Sequence, residues 1–465
     1  MPVNNTFFGA GRSAALLAKA ERIALLGAGG VGMYSVAREL LARGKTIIGS
    51  DRVESPLLED LRRRGARFLV GECPPGVEAC DLLVYTTAVP DAHPALTLTE
   101  QAGIPRMSRA DALAGLSWGR APGIAVAGMH GKSTVTAMLG HILEGAGRDP
   151  AVACGAVMLP EGTPYRAGSG GFVYEACEYQ RAFLCFSPDV AVVLNIDDDH
   201  TDCYPTLDCA EEAFASFLSH SRTAVVSADD ARAVRAASAC PGDVFTFSLS
   251  DRQADGYAED IAFEHGRYAF TLVWKGERAG RIRVGTVGRY NIANALAAAT
   301  AALSLGVPTA AACTSLSGVQ GVKRRMEYRG SYQKTAFYDD YAHHPAEISA
   351  SLSAARELSP GRLICVFQSH TYTRTAAHLA QIAEALDAAD LVLVADIYPA
   401  RETDPLGMSA DLLARRIGEK ATAPGDMEAL RQTMLSLLHP GDTVVVMGAG
   451  DIDRLFEGLP LLLQT

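Results

Sequence analysis

Short apolar runs closed by Gly, Asp or Ser, each followed by a helix-length segment, recur along the whole chain. The clearest are 23–26, 46–49, 82–85, 124–127, 190–194, 363–367, 391–395 and 443–447. They are rich in Val, Ile and Leu and do not alternate with polar residues, as expected of strands buried on both faces. Strand followed by helix, repeated, predicts parallel sheets with crossover helices. Helices are expected over 34–42 and 291–305. Residues 240–287 differ: "VFTFSL", "IAFEHGRYAFTLVW" and "RIRVGTV" alternate around Gly-containing turns, which predicts a small antiparallel addition. Strand-to-glycine turns at 27, 128 and 448 suggest three α/β units.

A chain of 465 residues exceeds one hydrophobic core. Polar or basic stretches at 117–123 and 321–330 divide it into expected domains 1–120, 121–327 and 328–465. The net charge of −11 argues against nucleic acid or a membrane surface as partner. Ten scattered cysteines without a C-x-x-C pair fit reduced thiols in the cytoplasm. No signal-peptide pattern and no apolar run long enough to span a bilayer are present.

"GAGGVGM" (27–33) lies between an apolar run and a helical stretch, and Gly27, Gly29 and Gly32 satisfy G-x-G-x-x-G. Gly29, Gly30, Val31 and Gly32 would offer backbone amides to a pyrophosphate, with Asp51 at the end of the next strand. Taken alone, this is a dinucleotide fingerprint and suggests an NAD-dependent dehydrogenase. "IAVAGMHGKSTVTAML" (124–139) redirects that reading. A strand runs into Gly128, His130, Gly131, Lys132, Ser133 and Thr134, and a helix opens. This is a phosphate-loop arrangement, although Val126 stands where a strict pattern has glycine. Two phosphate loops in one chain fit a two-substrate enzyme.

A nucleoside triphosphate site needs Mg²⁺, and Mg²⁺ needs oxygen ligands. Glu175 closes one short β run and "NIDDDH" (195–200) closes another, so both stretches arrive at a strand end near the loop. Each residue by itself also reads as a polar turn. It is the combination that points to metal and phosphoryl chemistry.

"GMHGKSTVTAM", "EACEYQRAFL", "NIDDDHTDCY", "GRYNIANALAA", "GVKRRMEY", "DDYAHHPAEI", "FQSHTYTRT" and "MGAGDI" occur in the order found in the Mur ligases. The chain resembles that family from Gly27 to Ile452. The resemblance implies an α/β protein of three domains. These are a Rossmann-like N-terminal domain for a UDP sugar, a central P-loop ATPase and a Rossmann-like C-terminal domain for an amino acid. It implies ATP-dependent activation of the lactyl carboxylate of UDP-N-acetylmuramate as an acyl phosphate. Attack by an amine, that of L-alanine on the closest pattern, would release ADP and phosphate in peptidoglycan precursor synthesis.

The resemblance also implies roles. Lys132 and the loop amides would hold the phosphates, and Ser133, Glu175 and His200 two Mg²⁺ ions. Asn291 and Asn294 would face the adenine, Asp340 the ribose and Arg325 the γ-phosphate. Thr86 and Thr87 would join the first glycine loop on the UDP sugar. Tyr341, His343, His344, His370 and Arg374 would form the amino-acid and acyl-phosphate cluster. Arg374 is suited to a carboxylate, and a histidine to taking the amine's proton; which of the histidines does so stays open. "HHP" also reads as a helix cap. The expected oligomeric state is a monomer or weak dimer. Met129, Tyr290 and Ser369 depart from the family pattern. No lysine lies between His200 and Arg222, as in the alanine-adding members. A paralogue adding another amino acid or a peptide, and an inactive nucleotide-binding module, are the alternatives.

Overall fold

A computed structural model describes residues 8–200 and 203–462. It contains three sheets. The first has five parallel strands in the order Arg67–Val70, Thr46–Asp51, Arg22–Leu26, Leu82–Tyr85, Arg106–Ser108. The order reverses between Arg22–Leu26 and Leu82–Tyr85, and a crevice at such a reversal is where open α/β sheets bind ligands. The glycine turn 27–30 and Thr86 both leave the sheet at this point.

The second sheet has ten strands. Its centre is Gly123–Ala127, flanked by Phe172–Glu175 on one side and Val190–Val193 on the other, all parallel. Ala151–Met158 and Thr163–Arg166 complete one edge; they lie in a stretch with no clear apolar run and are not evident from the sequence. On the other edge, Asp243–Ser248 pairs parallel to Thr223–Ser227, which corrects the antiparallel reading of "VFTFSL". The alternation of residue types is not an alternation of burial: exposure falls along the strand from Asp243 and Val244 to the buried Phe247 and Ser248. Gly256–Glu264, Arg267–Trp274 and Glu277–Arg283 then extend the same sheet through two-residue turns. Neighbouring strands joined so tightly run antiparallel, so this part of the expectation holds. The addition is continuous with the main sheet.

The third sheet has the order Glu327–Tyr332, Thr335–Asp340, Thr443–Met447, Leu363–His370, Leu391–Tyr398, Ala421–Thr422. Its first pair is antiparallel and the rest parallel. The central strands Leu363–His370 and Thr443–Met447 are almost wholly buried, as unalternating apolar runs require.

Three sheets form two compact units. One comprises residues 1–261, 270–283 and 292–320; the other comprises 262–269, 284–291 and 321–465. In the first unit one buried cluster contains Leu25 and Val84 of the first sheet with Ala125, Tyr174 and Val193 of the second. The joint is helix Val31–Ala42, which packs on Ala151–Met158 and Thr163–Arg166. Its Glu39, only 3% exposed, accepts hydrogen bonds from the Tyr165 hydroxyl, Arg43 and Arg120. A buried carboxylate is tolerated because all these donors converge on it. In the second unit, separate apolar clusters cover the two faces of the third sheet.

Candidate active site

Strand Gly123–Ala127 ends in a loop whose Gly128 (φ +134°) and Gly131 (φ +86°) adopt left-handed backbone. Helix Lys132–Gly145 starts at once. A side chain at Gly131 would also meet Asn294, whose Oδ1 lies 2.6 Å from where a Cβ would sit. The loop is fixed from the neighbouring strand: His130 N–H donates to Asn195 Oδ1 (2.9 Å), and Asn195 Nδ2 donates to His130 O (3.1 Å). The His130 ring meets Asp197 at 3.1 Å. This is a phosphate-binding nest at a helix N-terminus.

Lys132 Nζ lies 2.7 Å from Gly128 O, 3.1 Å from Met129 O, and 2.9 Å from the carboxylate of Glu178. Glu178 is 1% exposed. Its other oxygen is 3.1 Å from His200 Nε2. Burial opposes the charge of Lys132, but Glu178 and the neighbouring acidic groups outweigh it and raise its pKa. Burial likewise opposes ionisation of Glu178, yet Lys132 and His200 hold its pKa below the usual value. Ser133 Oγ donates to Glu175 Oε2 at 2.6 Å, and the same oxygen accepts Gly155 N–H at 2.9 Å. Ser133 at the helix start and Glu175 at a strand end are thus in direct contact, while His200 reaches the loop through Glu178. A hydroxyl and a carboxylate in hydrogen-bond contact are hard oxygen donors, which fits Mg²⁺.

The first glycine turn is built differently. Gly27 (φ +78°) has Thr86 Cγ2 2.5 Å from a virtual Cβ, so only glycine fits. Asp51 Oδ2 accepts Gly29 N–H at 2.8 Å. The acid thus braces the loop through its bonds to the Gly29 and Val53 amides. Thr87 is exposed beside it. A cavity of about 270 Å³ is lined by Gly27, Gly30, Gly32 and Thr86 on one side and by Gly155, Glu175 and Cys177 on the other. Arg109 also lines it, with Nη1 2.7 Å from a virtual Cβ on Gly32. The cavity therefore runs from the first glycine turn to Glu175, which accepts from Ser133 at the start of the phosphate-loop helix, and Arg109 stands in its wall.

In the second unit the loops after Thr335–Asp340 and Leu363–His370 bring the expected cluster together. His343 and His370 have ring centroids 5.8 Å apart, and His370 stacks on Tyr398 at 5.7 Å. Tyr341 lies edge-on to His343 at 5.6 Å. Burial pushes the pKa of His343 down to about 4, with the Arg374 charge adding to it against Glu347. Burial, then Arg374, pushes His370 down to about 4 against Glu402. Both imidazoles are neutral at pH 7. Arg374 sits in the first turn of helix Tyr372–Leu386, whose leading amides Tyr372 and Thr373 donate to Glu402. Arg325 lies 3.6 Å from Glu347 and over the Tyr341 ring.

His344 is the N-cap residue of helix Pro345–Leu358, without a side-chain cap bond, and its ring meets His378 rather than His343. Asp340 is buried and accepts Met326 N–H, Ala342 N–H and the Ser351 hydroxyl. Its visible bonds brace the loop that carries His343. Asn291, 3% exposed, donates to Val287 O at 2.6 Å, and Asn294 sits against the phosphate loop.

Glu178, Arg109, Glu402 and Tyr398 are not singled out by the sequence. Glu178 lies inside "EACEYQRAFL", three residues after Glu175, and that spacing was the one available signal. Arg109 and Glu402 sit in stretches without a motif.

The description "Mur ligase family, catalytic domain" matches residues 22–119, "Mur ligase middle domain" 126–302, and "Mur ligase, glutamate ligase domain" 324–450. The chain is a Mur ligase. Among curated relatives, the UDP-N-acetylmuramate–L-alanine ligase of Caldanaerobacter subterraneus subsp. tengcongensis is 37% identical over 95% of this Mur ligase and 97% of its own length. That of Clostridium novyi is 35% identical over 94% and 96%. The solved UDP-N-acetylmuramate-alanine ligase of Thermotoga maritima superposes with a TM-score of 0.81 at 25% identity, covering 94% of this chain and 97% of that one. Among the described residues, no helix is long and apolar enough to cross a membrane.

Proposed function

We propose that this Mur ligase joins L-alanine to the lactyl carboxylate of UDP-N-acetylmuramate at the expense of ATP. The observation that carries the reading is the cavity that runs from the first glycine turn to Glu175, the carboxylate bonded to Ser133. A UDP sugar held by its diphosphate at Gly29, Gly30, Val31 and Gly32 would place its far end toward Glu175 and the phosphate loop. Arg109 would offset negative charge midway. Relatives at 35–37% identity that carry this activity support the same assignment.

A carboxylate is a poor acyl donor, and phosphorylation converts its oxygen into a leaving group. Lys132 and the loop amides 129–133 would hold the β- and γ-phosphates and stabilise charge that develops on transfer. Ser133, Glu175 and His200 would hold two Mg²⁺ ions, which when bound neutralise phosphate charge. Asn294 would contact the base. In the second unit Arg374 would take the carboxylate of alanine through its fork of donors. His343 or His370, neutral at working pH, would accept the proton that the ammonium group loses. The nitrogen lone pair then attacks the acyl carbon and phosphate leaves. We place the domain limits at residues 120 and 327, with the UDP-sugar, ATP and amino-acid parts in that order.

Phosphate release is the test. The protein is incubated with ATP, Mg²⁺, UDP-N-acetylmuramate and one amino acid at a time. Release that depends on alanine is expected. Release only with another amino acid or a peptide would move the reading to a paralogue, and none at all would leave a nucleotide-binding module.

A further inference from the structure

Glu178 is a carboxylate that touches both the phosphate-loop lysine and the histidine assigned to metal. Its Oε1 lies 3.1 Å from Lys132 Nζ and 3.1 Å from His200 Nε2, and its Oε2 lies 2.9 Å from Lys132 Nζ. It is almost fully buried, so neither pairing is diluted by water. Its own backbone is tightly held. Glu178 O accepts the Tyr204 hydroxyl at 2.6 Å and Arg181 N–H at 2.8 Å. The next residues but one, Gln180 and Arg181, are consecutive non-glycine residues with φ of +53° and +57°. Left-handed backbone at two such residues costs free energy and persists only where surroundings impose it. The strained turn swings the chain back immediately after Glu178 and leaves its side chain pointing at the loop. The Tyr179 ring packs on His200 at 4.8 Å and closes the same cluster.

We propose that Glu178 is a positioning residue of the ligase, a single buried anion that sets Lys132 and His200 in register with each other. The inference rests on the ligase reading above. Its role is orientation, not ligand binding: a carboxylate beside the lysine weakens the pull of that lysine on an anionic ligand in the ground state. It contributes by fixing the angle from which the ammonium group meets the transferring phosphoryl group. Removing its charge should therefore lower turnover without weakening nucleotide binding. A residue that only packed the loop would show the reverse.

The test compares wild type with Glu178→Gln and Glu178→Asp. Two readouts are taken: kcat for alanine-dependent phosphate release, and the Kd of ADP in EDTA by calorimetry. Glu178→Gln is expected to lose about thirtyfold or more in kcat, with ADP bound as tightly as by wild type or more tightly. Glu178→Asp keeps the charge at shorter reach and should recover at least about threefold of that loss. Three results would overturn the proposal: kcat within threefold of wild type, ADP affinity falling in step with kcat, or Asp performing no better than Gln. If Glu178→Gln melts far below wild type, Glu178→Asp decides on the same readouts: a lower kcat with ADP affinity kept supports it, and any other pairing overturns it. Wild type that releases no phosphate with alanine would instead remove the ligase reading.

Discussion

His343 and His370 show most directly what burial does to single groups. Both are pushed down to about 4 from an ordinary value near 6.5. Between those values the unfolded chain binds protons that the folded unit refuses. Stability from these groups is therefore full above about pH 6.5 and is lost as pH falls toward 4. Thermal melting from pH 7.5 to 4.5 should show a shallower fall in Tm for the His343→Asn/His370→Asn double variant than for wild type; equal slopes would refute the assignment. Lys132→Ala and Glu175→Ala should each lower phosphate-release turnover by more than about a hundredfold, because the first removes the proposed phosphate-binding cation and the second the proposed metal-binding carboxylate. Near-normal rates in either would sink the phosphate and metal roles. These residues were legible in the sequence because glycine spacing and strand ends announce them. Glu178 and Arg109 were not, since their partners lie on elements that only folding brings near.

Among the elements, Gly155 on strand Ala151–Met158 is exposed, yet a Cβ there would stand 2.2 Å from Glu175 Oε2. This strand, next to the edge strand Thr163–Arg166, thus supplies the amide that holds the proposed metal-binding carboxylate. Gly155→Ala should displace Glu175 and cut turnover by about tenfold or more, through misplacement alone. Circular dichroism and Tm should stay near wild type. An unchanged rate would mean that Glu175 need not be held there. The strand itself escaped sequence reading because its run "AVACGAVM" is small and Gly-interrupted, so no apolar period stands out. The parallel pairing of Asp243–Ser248 was missed because alternation of residue types carries no information on strand direction.

For the whole molecule, the expected boundary near residue 120 separates two sheets that share a core. Helix Val31–Ala42 joins them through the buried Glu39 and the Tyr165 hydroxyl. Tyr165→Phe removes one donor from a buried carboxylate and should cost about 1–3 kcal/mol, read as a lower urea midpoint for the first unit at unchanged m-value. A change too small to measure would mean that apolar packing alone makes the joint. The cavity between the first glycine turn and Glu175 depends on this joint, because its two walls come from the two sheets.

The sequence by itself determined the strand-and-helix rhythm, the three glycine turns, the phosphate loop and the family. Those signals are local: a turn that needs φ > 0, a lysine at a helix start, an apolar run of strand length. Only the tertiary structure decided that "GAGGVGM" and Glu175 face one cavity. It also decided that Asp51 and Asp340 spend their oxygens on backbone amides, and that a buried glutamate ties Lys132 to His200. Each of those facts is a distance between residues far apart in the chain, set by how helices cover sheets, and no local pattern encodes such a distance.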